Sequence, residues 1–234
     1  MKKTILFADL DGTLIETASG ETFPKGIWDM KFKFDVLDAI KKMNPEIILI
    51  ASNQGGIENG YVSQVSFHSK MDYVAQSIED YCKVKCRSMY CTTNDKADPY
   101  RKPNPMMLEW LAEKYVGDDF DTIKSKSLMI GDASGKEGQF SDSDKKTAEN
   151  WGIDYMDVTD FILEHCPKEN SDVTDETNAP TEYGKYVDEC LNDASKHFFS
   201  EGEDKYSVAD LFYAGVRCGK SWLEKQNNHK LEQS

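Results

Sequence analysis

Three short apolar runs, at residues 5–8, 47–51 and 127–130, constrain this chain most, because each stops abruptly at residues that can carry chemistry. The first, Ile5-Leu6-Phe7-Ala8, delivers Asp9 and Asp11 with Gly12 behind them. The second leads into Ser52-Asn53-Gln54-Gly55-Gly56, and the third into Gly131-Asp132. Runs of this length read as buried strands, and helical patterns fill the intervals. Residues 34–43 form a short amphipathic pattern, and Phe67, Met71, Val74, Ile78 and Tyr81 recur at helical spacing within 62–83. Residues 87–92 suit a further strand, and 105–115 a helix opened by Pro105. A helix through 148–151 ends at Gly152, before a short strand near Tyr155 and Met156. This alternation predicts an α/β fold, a Rossmann-like parallel sheet with helices on both faces.

The polar groups fall where such a sheet binds ligands, outside the carboxyl ends of its strands. In extended chain, residues i and i+2 point to the same side, so Asp9 and Asp11 can address one bound group. Gly12 then lets the backbone turn sharply away. One carboxylate can attack phosphorus or hold a metal while its neighbour handles a proton. Each motif also has a plain structural reading: an aspartate-rich turn, Ser52 as a helix cap, Lys102 as a solvated loop charge, Asp132 as a turn residue. What chance rarely produces is all four in order: acid pair, hydroxyl, lysine, acid.

That order resembles the haloacid dehalogenase (HAD) superfamily, and within it the 3′-phosphatase domain of polynucleotide kinase-phosphatases. The supporting stretches are Asp9 to Ile15, Ser19-Gly20 with Phe23-Pro24, Ser52 to Ile57 with Gly60, Tyr100-Arg101-Lys102-Pro103, Gly131 to Gly135, and Phe140-Ser141 leading to Asp144 and Trp151-Gly152. The resemblance covers about residues 3 to 165 and implies a HAD-like fold with a minimal cap. It makes Asp9 the nucleophile and Asp11 the general acid and base. Ser52, with Asn53, would donate to phosphoryl oxygens, and Lys102 would neutralise charge on them. Mg²⁺ suits an all-oxygen site of Asp9, Asp132 and the Asp11 carbonyl. Asp144 is the supporting acid, with Asp142, two residues away, as the alternative. Gln54, Arg101 and Lys136 are further candidates to contact substrate. The implied substrate is a phosphorylated nucleic-acid end or nucleotide, in keeping with a place in DNA repair. The intervals between motifs leave little room for a large cap, and an open site admits a polymer end.

Composition narrows the alternatives. The chain has 234 residues, enough for a proper core and an appendage. The net charge of −14 excludes a long nucleic-acid footprint. A strand end needs only a few phosphate contacts, so affinity for nucleic acid should be weak and salt-sensitive. No long apolar stretch and no signal peptide are evident, which predicts a cytoplasmic protein that does not enter membranes. Cys82, Cys86 and Cys91 lie close together but lack C-x-x-C spacing and a nearby histidine, so they read as ordinary thiols. HAD phosphatases acting on histidinol phosphate or heptose bisphosphate typically carry a Cys/His zinc loop before the Arg-Lys-Pro element. Here residues 92–100 contain no such ligands, which weakens the small-metabolite reading.

The predicted domains are a HAD-like unit at 1–166, a polar linker at 167–181 and a helical hairpin at 182–226. The hairpin is either a docking or self-association element or a pair of helices that only packs on the core. Within it, Gly215 to Ser221 nearly spells a phosphate-binding loop. It is one residue short and lies in a helical pattern, so no kinase activity is expected.

Overall fold

The computed structural model describes residues 3–21, 24 and 29–167. The hairpin at 182–226, the linker from residue 168 onward and the Gly215–Ser221 sequence lie outside the described residues.

In chain order the elements are β1 (Ile5–Ala8), β2 (Ile15–Glu16), β3 (Lys31–Phe32), α1 (Phe34–Met43), β4 (Ile47–Asn53), α2 (Gln64–Cys82) and β5 (Lys85–Cys91). They continue with α3 (Met106–Tyr115), α4 (Phe120–Lys126), β6 (Ser127–Gly131), α5 (Ser143–Trp151), β7 (Asp154–Asp157) and α6 (Val158–His165). Five strands form one parallel sheet in the order β5-β4-β1-β6-β7. β1 is therefore central. The chain first builds outward through β4 and β5, then crosses to the other side of β1 for β6 and β7. That reversal opens a crevice at the carboxyl ends of β1 and β6.

Side-chain alternation along the strands feeds two cores. Leu6, Ala8, Ile48, Ile50, Leu128 and Ile130 pack with residues of α1, α2 and α6 on one face. Ile5, Phe7, Ile47, Leu49, Ala51 and Met129 pack with α3, α4 and α5 on the other. Burial on both faces is why the strands read as continuous apolar runs. Each fully buried Leu, Ile or Phe here contributes roughly 1.5–3 kcal/mol. Cys82, Cys86 and Cys91 are free thiols buried in these cores.

The expected helix at 34–43 coincides with α1, which ends at Asn44 in the left-handed conformation. α2 begins at Gln64 because Ser63 caps it, its hydroxyl accepting from the Ser66 N–H at 3.1 Å. Pro105 sits at the cap of α3 rather than inside it. Three features had not been expected: the α4 and α6 helices and the β2–β3 pair. Between Asp11 and α1, that two-stranded antiparallel ribbon is the only regular structure among the described residues. No helix among them is long and apolar enough to cross a membrane.

Candidate active site

Asp9 follows directly on β1 and donates its N–H to the Ile130 carbonyl, so it stands at the central crevice. Ser52 lies in β4 beside it, Asp132 follows β6, and Lys102 arrives on the loop between β5 and α3. Asp9, Ser52, Lys102 and Asp144 are all buried.

The Lys102 ammonium holds the centre. It donates to Asp9 Oδ1 at 2.5 Å and to Asp144 Oδ1 at 2.7 Å. Burial alone would lower its pKa, but Asp144 and Asp9 together hold it above the ordinary lysine value. Asp9 moves the other way: burial pushes its carboxyl up to about 8, against the pull of Lys102 and with the push of Asp144. Burial and Asp144 raise Asp132 likewise. One ammonium among several carboxylates leaves a deficit of positive charge that a bound cation would offset.

Asp9, Asp132 and Asp144 each present an oxygen within 4.8 Å of the others, an all-oxygen set that fits a hard divalent cation. Asp144 is already committed, since its second oxygen accepts the Ala133 N–H at 3.2 Å. Asp9 and Asp132 are therefore the acids free to hold an ion. Asp142 pairs instead with Lys146 at 2.6 Å, so Asp144 is the acid that meets Lys102.

The polar shell has its own logic. Gln54 Nε2 donates to Asp11 Oδ2 at 2.6 Å and to Ser52 Oγ at 2.8 Å, tying the second acid to the hydroxyl. Ser52 thus accepts through its oxygen, and its own hydrogen goes to no described residue. Gly12, at φ 82°, makes room for the acids: a Cβ there would lie 2.0 Å from Asp132 Oδ2. Gly12→Ala should cost about 1–2 kcal/mol from the left-handed backbone. By displacing Asp132 it should also lower kcat roughly tenfold or more, which thermal melts and steady-state assays would read separately.

Three residues expected to contact substrate are occupied elsewhere. The Asn53 side chain clamps the Lys102 backbone, donating to its carbonyl and accepting its N–H, both at 2.9 Å. Arg101 donates to the Thr93 carbonyl and braces its own loop. Lys136 pairs with Asp160 at 2.8 Å and Asp157 at 3.3 Å, against the start of α6. In each case a partner within the fold takes the donor.

Two lysines had gone unnoticed. Lys33, just before α1, donates to the Gly12 carbonyl at 2.6 Å and so holds the turn after Asp11. Lys70, on α2, is buried with its ammonium 3.8 Å from Asp11 Oδ1. The alternation through Met30-Lys31-Phe32-Lys33 hinted at the first. Lys70 carried a signal too, since it falls at a core position of the α2 pattern.

A model of the polynucleotide kinase 3 phosphatase family matches residues 4–161. The bifunctional polynucleotide phosphatase/kinase of Schizosaccharomyces pombe is 31% identical over 168 residues, covering 70% of this chain and 38% of that protein. A protein of Acanthamoeba polyphaga mimivirus, assigned as a bifunctional polynucleotide phosphatase/kinase, is 28% identical over 249 residues, covering 93% of this chain and 54% of its own. The chain thus spans about half the length of these relatives or less. The solved structure of D,D-heptose 1.7-bisphosphate phosphatase from B. bronchiseptica, complexed with magnesium and phosphate, has the same HAD-like fold, with a TM-score of 0.50 at 19% identity over 65% of this chain and 78% of that one. With the family matched from before β1 into α6, the chain belongs to the polynucleotide kinase 3 phosphatase family.

Proposed function

We propose that this chain is a Mg²⁺-dependent phosphomonoesterase that removes 3′-phosphate from nucleic-acid or nucleotide ends through an aspartyl-phosphate at Asp9. The observation that carries this reading is the convergence of Asp9, Lys102, Asp144, Ser52 and Asp132 at the carboxyl edge of the central strands.

Asp9 is the attacking group. Lys102 pins its Oδ1, and its Oδ2 accepts no hydrogen bond among the described residues. As the new Asp9–phosphorus bond forms, the bond from phosphorus to the leaving oxygen breaks, and Asp11 gives that oxygen its proton. Asp11, now a carboxylate held by Gln54, takes a proton from water as the water oxygen attacks phosphorus. The Asp9–phosphorus bond breaks and inorganic phosphate leaves. The Ser52 hydrogen and the Lys102 ammonium stabilise charge on the phosphoryl oxygens. Asp144 keeps Lys102 charged and aimed. Asp9 and Asp132, with the Asp11 carbonyl, would hold a divalent cation, whose positive charge would let a carboxylate approach a phosphate dianion.

Two arguments favour a strand end over a small metabolite. The family takes its name from polynucleotide phosphatases, and only the β2–β3 ribbon stands between Asp11 and α1 among the described residues. The heptose-bisphosphate phosphatase with the same fold defines the competing substrate class. Phosphate release from a 3′-phosphorylated oligonucleotide, a nucleoside 3′-phosphate and sugar phosphates separates the two. The oligonucleotide should give the highest kcat/KM, and chelating the metal should remove activity on all three. A sugar phosphate preferred by tenfold or so would overturn the assignment.

A further inference from the structure

Phe67, Met71, Val74 and Ile78 place one face of α2 in the core, and Lys70 occupies a slot on that same face. It is 6% exposed. An apolar residue of similar length would satisfy such a slot without the desolvation cost of a charge. The ammonium lies 5.8 Å from the Phe67 ring centre and 3.8 Å from Asp11 Oδ1, beyond hydrogen-bond length. It donates no hydrogen bond to any described residue.

The other basic groups gathered at or near the site are committed. Lys33 is bonded to the Gly12 carbonyl, Lys102 to Asp9 and Asp144, Arg101 to Thr93, and Lys136 to Asp157 and Asp160. Lys70 therefore has donors left to give, and it stands beside Asp11 rather than Asp9. Asp11 is the group that meets the leaving oxygen. A cation at its flank is placed for whatever the leaving group carries next. In a nucleic-acid strand that is the terminal sugar and then the phosphodiester joining it to its neighbour.

We propose that Lys70 is a substrate-binding residue that holds the internucleotide phosphate of the terminal nucleotide, on the leaving-group side of the site. This rests on the reading of the enzyme as a 3′-phosphatase of strand ends. It lets a strongly acidic chain grip a nucleic-acid end: one buried ammonium beside Asp11 stands in for a basic surface.

The test varies both partners. Lys70→Met keeps the apolar stem, and Lys70→Arg keeps the charge. Lys70→Met should raise KM for a 3′-phosphorylated dinucleotide roughly 10- to 100-fold. Its kcat/KM for p-nitrophenyl phosphate and for a nucleoside 3′-phosphate should stay within about twofold of wild type, since neither carries a second phosphate. Lys70→Arg should retain most of the dinucleotide affinity. The slope of log KM against log salt should fall by about 0.7 in the methionine variant, the loss of one single-strand phosphate contact.

The wild-type enzyme gives an arm that no folding defect can obscure. A dinucleotide with an uncharged methylphosphonate linkage should bind it as poorly as the ordinary dinucleotide binds Lys70→Met. Equal losses on all three substrates in Lys70→Met would overturn the proposal, making Lys70 a support for Asp11. Indifference of the wild type to the methylphosphonate would overturn it as well. A wild-type enzyme inactive on any 3′-phosphorylated nucleotide would instead sink the 3′-phosphatase reading itself, and the role of Lys70 with it.

Discussion

Asp9→Asn should lose turnover by at least roughly a thousandfold and yet melt no lower than the wild-type protein. The substitution is isosteric, and the amide oxygen can still accept from Lys102. What disappears is the attacking electron pair, and no neighbouring group is placed to replace it. The stability side of the prediction follows from burial, which in the metal-free protein pushes the Asp9 carboxyl from 3.8 up to about 8. A carboxyl raised in the folded state holds a proton that the unfolded chain has already released. Its contribution is fully present below the unfolded value and is lost as pH rises through about 8. Metal-free wild type should therefore lose stability between about pH 4 and 8, and Asp9→Asn should show a flatter profile over that window. Thermal melts across pH in a chelator, beside phosphate-release assays with Mg²⁺, would read both. Near-wild-type turnover in Asp9→Asn would end the assignment of the nucleophile.

The contrast between what the chain announced and what it concealed has a physical basis. β1, β4 and β6 were legible because strands buried on both faces must be continuously apolar, and the acids at their ends break that run abruptly. α1 and most of α2 were legible through helical periodicity. The α4 helix, Phe120–Lys126, buries Ile123 alone and shows no repeat to detect. β2 and β3 are two residues each, too short to be read as strands. Asp9, Asp11, Ser52 and Asp132 were legible as polar groups at strand ends, and Lys102 as a loop residue in the order that resembles the HAD pattern. Asp144 was the expected supporting acid, and the start of α5 turns it inward to Lys102 while Asp142 pairs with Lys146. Asn53, Arg101 and Lys136 mark the limit of that reasoning. A polar group next to a motif bonds whichever partner is nearest in space, and sequence distance does not report it. Lys70 makes the same point in reverse, since only the packing of α2 brings it to Asp11, 59 residues away in the chain.

Lys102→Met should be the most damaging substitution for activity and stability together. Lys102 is buried with two carboxylates bonded to its ammonium, and breaking such a pair from one side typically costs about 3–5 kcal/mol. The cost arises because Asp9 and Asp144 are left buried, close to Asp132 and without their cation. Those acids must then hold protons to remain folded, so the loss should deepen as pH rises. Turnover should fall at least a hundredfold, since the charge opposite the phosphoryl oxygens is gone. Adding Asp144→Asn to Lys102→Met removes one of the stranded charges. That double variant should recover part of the stability and none of the activity. Mg²⁺ should raise the melting temperature of Lys102→Met more than that of wild type, because a cation bound only by the folded state stabilises it and here relieves the larger repulsion. If Lys102→Met melted like wild type at pH 8 without metal, the ammonium would not be holding these acids together. If the double variant regained turnover, Lys102 would serve only to offset Asp144, and its direct role toward the phosphoryl group would have to be abandoned.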